Sequence, residues 1–191
     1  LAVVWKEYKI TLIENAAESL YSYYKNKHTV TFGLIGTFSF NGNKTVTSGG
    51  GGALITNDSE LAKKAKHLST QAKIPHKWEY QHDEIGYNYR MPNLNAALAC
   101  AQLEQLDSYI ENKRELSNMY HDFLNSDENI NLVREVEGGK TDYWLYAVVL
   151  ESRVKRDQFL EQTNSKGIMT RPIWELMNRL DMFKNCPKSD L

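Results

Sequence analysis

The segment "FSFNGNKTVTSGGGG", residues 38–52, sets a single lysine, Lys44, between a strand-like run and four consecutive glycines. A lysine so placed could clamp a phosphate, attack a carbonyl compound through its amine, or stand in water as an ordinary charge. The phosphate-clamp pattern G-x-x-x-x-G-K-[ST] needs a glycine directly before the lysine. Here the order is Gly42, Asn43, Lys44, Thr45, so that pattern fails. A glycine-rich dinucleotide fingerprint lies between a strand and a helix, whereas "GGGG" leads into the strand-like "GALIT". Two readings stay open: a solvated charge, or an amine held among Ser39, Asn41 and Asn43, with glycines letting backbone pass close to a bound group. A lysine that loses part of its solvation gives up its proton more readily and becomes a nucleophile toward an aldehyde. Pyridoxal phosphate is the cofactor that exploits such an amine.

The elements that must position this lysine are those of an α/β chain. "KITLI" (9–13) reads as a strand running into helix-forming "ENAAESL", and the residues before it as a helix tail. "HTVTFGLIGTFSF" (28–40) supplies one or two strands, and "GALIT" (52–56) a short buried one. Asn57 is expected to cap the helix "SELAKKAKHL", with Glu60 completing an approximate capping box. Residues 71–93 have no clean periodicity but carry two prolines and many aromatic residues, as functional or interfacial loops do. A long helix starts near Leu94 and runs, with a bend, toward Leu124. After the polar turn "EVEGGKTD", "YWLYAVVL" reads as a strand, "KRDQFLEQTNSKG" as a helix closed by Gly167, and "IMTRPIW" as an extended piece. This places a large domain over 1–125, including the long helix, and a smaller α/β domain over 126–191. The beginning, inside a helix tail, and the end, "NCPKSDL" in a loop, suggest a fragment.

Composition narrows the function classes. Of 191 residues, 41% are hydrophobic and 25% charged, with a net charge of −1. That is the balance of a soluble globular chain without the basic footprint of a nucleic-acid binder. No apolar stretch is long enough to span a membrane and no secretory leader is visible, so a cytoplasmic protein is expected. Cys100 and Cys186 read as reduced thiols. Asn43 and Asn57 match the glycosylation pattern by chance on that reading. His28, His67, His76, His82 and His121 lack metal spacing, so no metal is expected, though His76 and His82 could line a substrate mouth. Met169 and Met177 read as packing residues.

"IENAAESL", "FSFNGNKTVTSGGGG", "HDEIGYNYRMPNLNAALACAQLEQL" and "GIMTRPIWELM" together resemble the DegT/DnrJ/EryC1/StrS family of sugar aminotransferases. Within it, the chain looks most like the enzymes that aminate nucleotide-linked 4-keto-6-deoxy sugars for bacillosamine and legionaminic acid. The resemblance implies fold-type I, with a mostly parallel sheet in the large domain and pyridoxal 5'-phosphate as cofactor. It makes Lys44 the Schiff-base lysine and Ser39 the hydroxyl that bonds the cofactor phosphate. Asn88, in "GYNYR", would reach the phosphate from a neighbouring subunit, implying a homodimer with shared active sites. Arg90 would contribute nearby, and Arg171 and Trp174 would meet the sugar nucleotide. Glu18 matches a position near the cofactor's ring hydroxyl.

Two departures bear on function. Where relatives carry Asp in "EDAA", this chain has Asn15, which can hydrogen-bond the cofactor's ring nitrogen but brings no charge. Strand alternation would turn Glu14 away from the site. The family's N-terminal phosphate loop and ring-stacking aromatic are not in this sequence. The expected reaction uses an amino donor, glutamate by analogy, with Lys44 moving the proton. The alternative is a catalytically impaired homologue acting as a binding or scaffold protein. A sugar dehydratase of the same family is disfavoured, because those relatives replace the lysine with histidine.

Overall fold

The computed structural model describes residues 2–188. Leu1 and the last three residues of "NCPKSDL" lie outside the described residues. In chain order the elements are α1 (Ala2–Tyr8), β1 (Ile13–Asn15), β2 (Tyr23–Tyr24), β3 (Lys27–His28), β4 (Ile35–Ser39) and β5 (Gly52–Ile55). Then come α2 (Ser59–Ser69), α3 (Asn93–Leu103), α4 (Leu106–Leu124), β6 (Ile130–Leu132), β7 (Gly139–Lys140), β8 (Val148–Leu150) and α5 (Arg153–Ser165). Two compact units form: one takes the residues up to 120 together with 134–145, the other 121–133 and the residues from 146 on.

The first unit is built on a three-stranded sheet in the order β1-β4-β5. β1 and β4 are parallel, with Ile13 opposite Ile35 and Asn15 opposite Thr37. β5 returns antiparallel, Ser39 facing Gly52, because the residues between β4 and β5 form a turn without the crossover helix that a parallel return requires. As an edge strand β5 leaves Leu54 and Ile55 exposed, so "GALIT" is not the buried strand expected from its apolar run. "KITLI" also differs from expectation. The strand begins only at Ile13, because Lys9 turns left-handed (φ 53°) and the Ile10 amide caps α1 on the Trp5 carbonyl.

The helix after β5 is capped by Asp58 rather than Asn57. Its Oδ1 accepts from the amides of Glu60 and Leu61 at 2.9 and 3.0 Å, the geometry of an N-cap. The long helix is interrupted at 104–105, where the Gln105 amide bonds Gln102 and tightens the turn, so α3 and α4 meet at the anticipated bend. "EVEGGKTD" holds a strand: β7 pairs with β2, Tyr23 facing Lys140. Buried apolar side chains of this unit include Ala16, Val30, Phe40, Val46, Ala99 and Ile110.

In the second unit β6 and β8 pair antiparallel, and α5 starts at Ser152, whose Oγ accepts from the Lys155 amide. Gly167 (φ 79°) closes α5 as expected. "YWLYAVVL" yields strand only at 148–150, and its residues 143–145 belong to the first unit. Among the described residues, "IMTRPIW" joins no ladder.

Candidate active site

Because β1 and β4 are parallel, their carboxyl ends open on the same side, the edge at which α/β sheets place ligands. Asn15, Ala16, Ala17 and Glu18 leave β1 there, and Ser39 closes β4. The turn after β4 is pinned inward by fully buried Val46 and closed by the Lys44 amide donating to the Asn41 carbonyl (3.1 Å). Two glycines of the run that follows, Gly49 and Gly51, sit at positive φ, and a Cβ on Gly52 would stand 2.4 Å from the Phe38 carbonyl oxygen. The close approach these glycines permit is therefore of the chain to itself.

Lys44 is withdrawn from water, its side chain 12% exposed. Its Nζ donates to Glu18 Oε1 at 2.6 Å and lies 4.2 Å from the centroid of the Trp144 ring. The indole N–H of Trp144 donates to the Asn43 carbonyl at 2.7 Å, tying the ring to the turn that carries the lysine. Glu18, Ser39, Lys44, Thr45, Asp142 and Trp144 line a narrow hollow whose packed side chains leave no room for a water molecule beside the amine. The reading of Lys44 as an ordinary solvated charge does not match this setting.

Asp142 is buried at the back of the hollow. Ser22 Oγ donates to its Oδ1 (3.3 Å), Thr45 Oγ1 donates to its Oδ2 (3.4 Å), and its own amide donates to Ser22 Oγ (3.2 Å). Burial pushes its carboxyl above the usual carboxylate range. Neither Asp142 nor Trp144 is singled out by the sequence pattern. They lie about a hundred positions from Lys44, within segments that read as a polar turn and a strand, and no local spacing connects them to it.

The other sequence candidates divide. Glu14 turns away as alternation requires, its Oε1 accepting from the amides of Phe32 (2.7 Å) and Gly33 (2.6 Å). Asn15 is exposed at the carboxyl end of β1, and its Oδ1 accepts from the Ala17 amide at 3.3 Å. Ser39 lines the hollow, its Oγ accepting from the Asn41 amide (3.3 Å). Asn88 and Arg90 are exposed in the aromatic segment, where Asn88 bridges to Thr70 at the end of α2. His76 Nδ1 accepts from the Glu79 amide and His82 Nδ1 bonds the Gln71 carbonyl, so both serve the segment's own shape. His67, Asp83 and Glu84 bring their ligand atoms within 4.8 Å of one another, but His67 Nε2 bonds Asp83 at 2.6 Å and Glu84 takes Lys64. Arg171 and Trp174 are exposed residues of the second unit, the guanidinium 3.6 Å from Met169 Sδ.

Comparison with known proteins settles the lineage. Residues 1–190 match the DegT/DnrJ/EryC1/StrS aminotransferase family. The chain belongs to this family. It is 38% identical over 176 residues to EpsN of Bacillus subtilis (strain 168), named as a pyridoxal phosphate-dependent aminotransferase, covering 92% of this chain and 45% of EpsN. GDP-perosamine synthase of Escherichia coli O157:H7 is 38% identical over 182 residues, covering 93% of this chain and 48% of the synthase. PseC of Helicobacter pylori, an aminotransferase involved in pseudaminic acid biosynthesis, superimposes with a TM-score of 0.90 at 22% identity, covering all of this chain and 52% of PseC. The fold is therefore fold-type I, and the chain spans about half the length of the curated relatives it matches. The family is an aminotransferase family, and pyridoxal phosphate is its cofactor. Among the described residues, no helix is long and apolar enough to cross a membrane.

Proposed function

We propose that this chain forms the lysine-bearing part of a pyridoxal-phosphate-dependent aminotransferase. It would move an amino group from glutamate to C4 of a nucleotide-linked 4-keto-6-deoxy sugar in cytoplasmic synthesis of cell-surface glycans. Sugars of the bacillosamine and legionaminic acid type are the proposed substrates. One observation carries the reading: the Lys44 amine is enclosed at the carboxyl ends of two parallel strands, with the Ser39 hydroxyl and the Glu18 carboxylate in the same hollow. The relative named GDP-perosamine synthase supports a nucleotide-linked sugar as the substrate class.

The residues present fit the cofactor: an amine for its aldehyde, a hydroxyl for its phosphate and polar side chains for its ring. When bound, pyridoxal phosphate supplies an electron sink for the charge left at the substrate carbon once a proton is removed. Lys44 Nζ would hold the cofactor and, when free, would move a proton as base and then as acid. Ser39 Oγ accepts from the Asn41 amide, leaving its own proton to donate to phosphate. Glu18 is half exposed, so it can hold the lysine ammonium in the free protein and turn to a ring hydroxyl in the loaded one. Asn15 offers the ring nitrogen an uncharged hydrogen bond. Asn88 of a second copy is proposed to reach the phosphate in a homodimer, with Arg90, Arg171 and Trp174 meeting the sugar nucleotide. A guanidinium suits phosphate and an indole offers apolar cover.

Asn15 favours a second reading, a fold-type I homologue that binds without turnover. Adding pyridoxal phosphate to the full chain tests both. A coloured complex bleached by glutamate supports the aminotransferase. Colour that glutamate leaves untouched selects the second reading, and no coloured complex rejects Lys44 as a cofactor-bearing lysine.

A further inference from the structure

The segment 134–145 leaves its sequence neighbours and packs as a strap in the first unit. Several bonds hold it along its length. Arg114 Nη1 and Nη2 grip Glu135 at 2.8 and 3.2 Å, and Nη1 also donates to the Thr141 carbonyl (2.9 Å). β7 pairs with β2, and the Lys25 amide donates to the Gly138 carbonyl (2.7 Å). Asp142 is then fixed between Ser22 and Thr45, and Lys113 Nζ donates to the Trp144 carbonyl (3.4 Å). Tyr143 adopts a left-handed backbone (φ 46°), a costly conformation for an aromatic residue, in the turn that separates anchored Asp142 from Trp144. Everything in this strap converges on one outcome: an indole face against the Lys44 amine, with its N–H on the Asn43 carbonyl.

We propose that Trp144 is a working part of the lysine site. Its ring face caps the Lys44 amine and its N–H fixes the lysine-bearing turn, while Asp142 is the positioning residue that anchors the strap delivering it. The inference deepens the function proposed above and rests on it for the importance of the amine. A ring face attracts an ammonium through its quadrupole, while aliphatic bulk of similar reach shields without attracting. The amine is thus held, pointed at Glu18 and screened from water and small electrophiles until a group enters the hollow. Phenylalanine keeps a smaller ring face and loses the N–H donor; leucine keeps apolar cover and loses the face altogether.

The test labels the cofactor-free full chain with the N-hydroxysuccinimide ester of acetic acid at one pH and follows acetylation of Lys44 by mass spectrometry. The other lysines serve as internal standards. Trp144→Leu should label Lys44 at least about threefold faster than wild type, and Trp144→Phe at a rate between the two, since part of the face remains and the N–H is lost. Any other pattern, including equal rates in all three or Phe as fast as Leu, overturns the proposal. Should Trp144→Leu fail to fold, Asp142→Asn leaves the indole in place but turns a donor toward Thr45. It should raise Lys44 labelling about twofold by loosening the strap, and an unchanged rate overturns the proposal. The readout needs no cofactor, so a protein that never forms a coloured complex would defeat the aminotransferase reading and leave the labelling result standing.

Discussion

The turn around Lys44 and the aromatic segment 71–93 are both irregular stretches of the first unit, yet the first folds its chemistry inward and the second holds it out. Lys44 is almost enclosed, with a carboxylate and an indole against its amine. Trp78, Tyr80 and Tyr89 stand 72%, 80% and 75% exposed. The aromatic segment is nonetheless well anchored. The Tyr87 amide bonds the Leu68 carbonyl, Tyr89 bonds Ser69, Ile74 bonds Gln81, and His67 holds Asp83. The difference lies in what supplies the partners. Local backbone bonds shape the aromatic segment and leave its rings to solvent. The lysine turn gains its cover from residues about a hundred positions away. Anchoring a loop and enclosing a side chain are separate tasks, and around Lys44 long-range contacts perform the second.

The largest expected effect comes from the enclosed side. Lys44→Ala in the full chain should abolish the coloured cofactor complex and reduce amination by on the order of 10³-fold or more, since both attachment and proton transfer are lost. Amination at the normal rate would defeat the assignment. Next comes the carboxyl end of β1. Asn15→Asp replaces a neutral hydrogen bond to the ring nitrogen with a charged one, and turnover should rise about tenfold with a smaller change in cofactor affinity. A falling rate would show that this position does not serve the ring.

Loosening the strap over the lysine should cost stability. Arg114→Leu removes both bonds to Glu135 and leaves that carboxylate partly buried without its cation, a loss of about 2 kcal/mol measurable by urea unfolding. The loss should depend on pH. Hydrogen bonding from Arg114 holds the Glu135 carboxyl below its ordinary value. Its stabilisation is therefore complete above the ordinary carboxylate range and disappears as pH falls through the lowered folded value, where the gap between wild type and variant should narrow to what the Arg114 bond to the Thr141 carbonyl contributes. A difference that stays undiminished in acid would contradict the pairing.

The smallest effect belongs to the exposed segment. Asp83, whose carboxyl the His67 hydrogen bond holds below the usual range, is solvent-facing. Asp83→Asn should raise protease cutting within 71–93 about twofold and leave Lys44 labelling unchanged. A coupled change at Lys44 would erase the contrast between the two loops.

Much of this was legible in the residues themselves. Polar neighbours and failed phosphate patterns marked Lys44, the helix-forming runs marked α2, α4 and α5, and Gly167 marked a helix end. Each depends on residues a few positions apart, where propensity and periodicity operate. Alternation likewise foretold that Glu14 would turn from the site. The cap moved from Asn57 to Asp58, because either side chain can cap and only the backbone geometry chooses between them. β5 proved exposed because an apolar run cannot reveal whether its strand lies at an edge.

By itself, the sequence determined the family, the presence of a lysine at position 44 among polar neighbours and the neutral amide at position 15, all properties carried by residue identity and short spacing. Only the tertiary structure decided that 134–145 returns to the first unit, that Asp142 is buried behind Thr45, and that an indole covers the amine. Those contacts join residues whose separation along the chain leaves no periodic trace, and they exist only once the sheet and helices bring distant segments within bonding range.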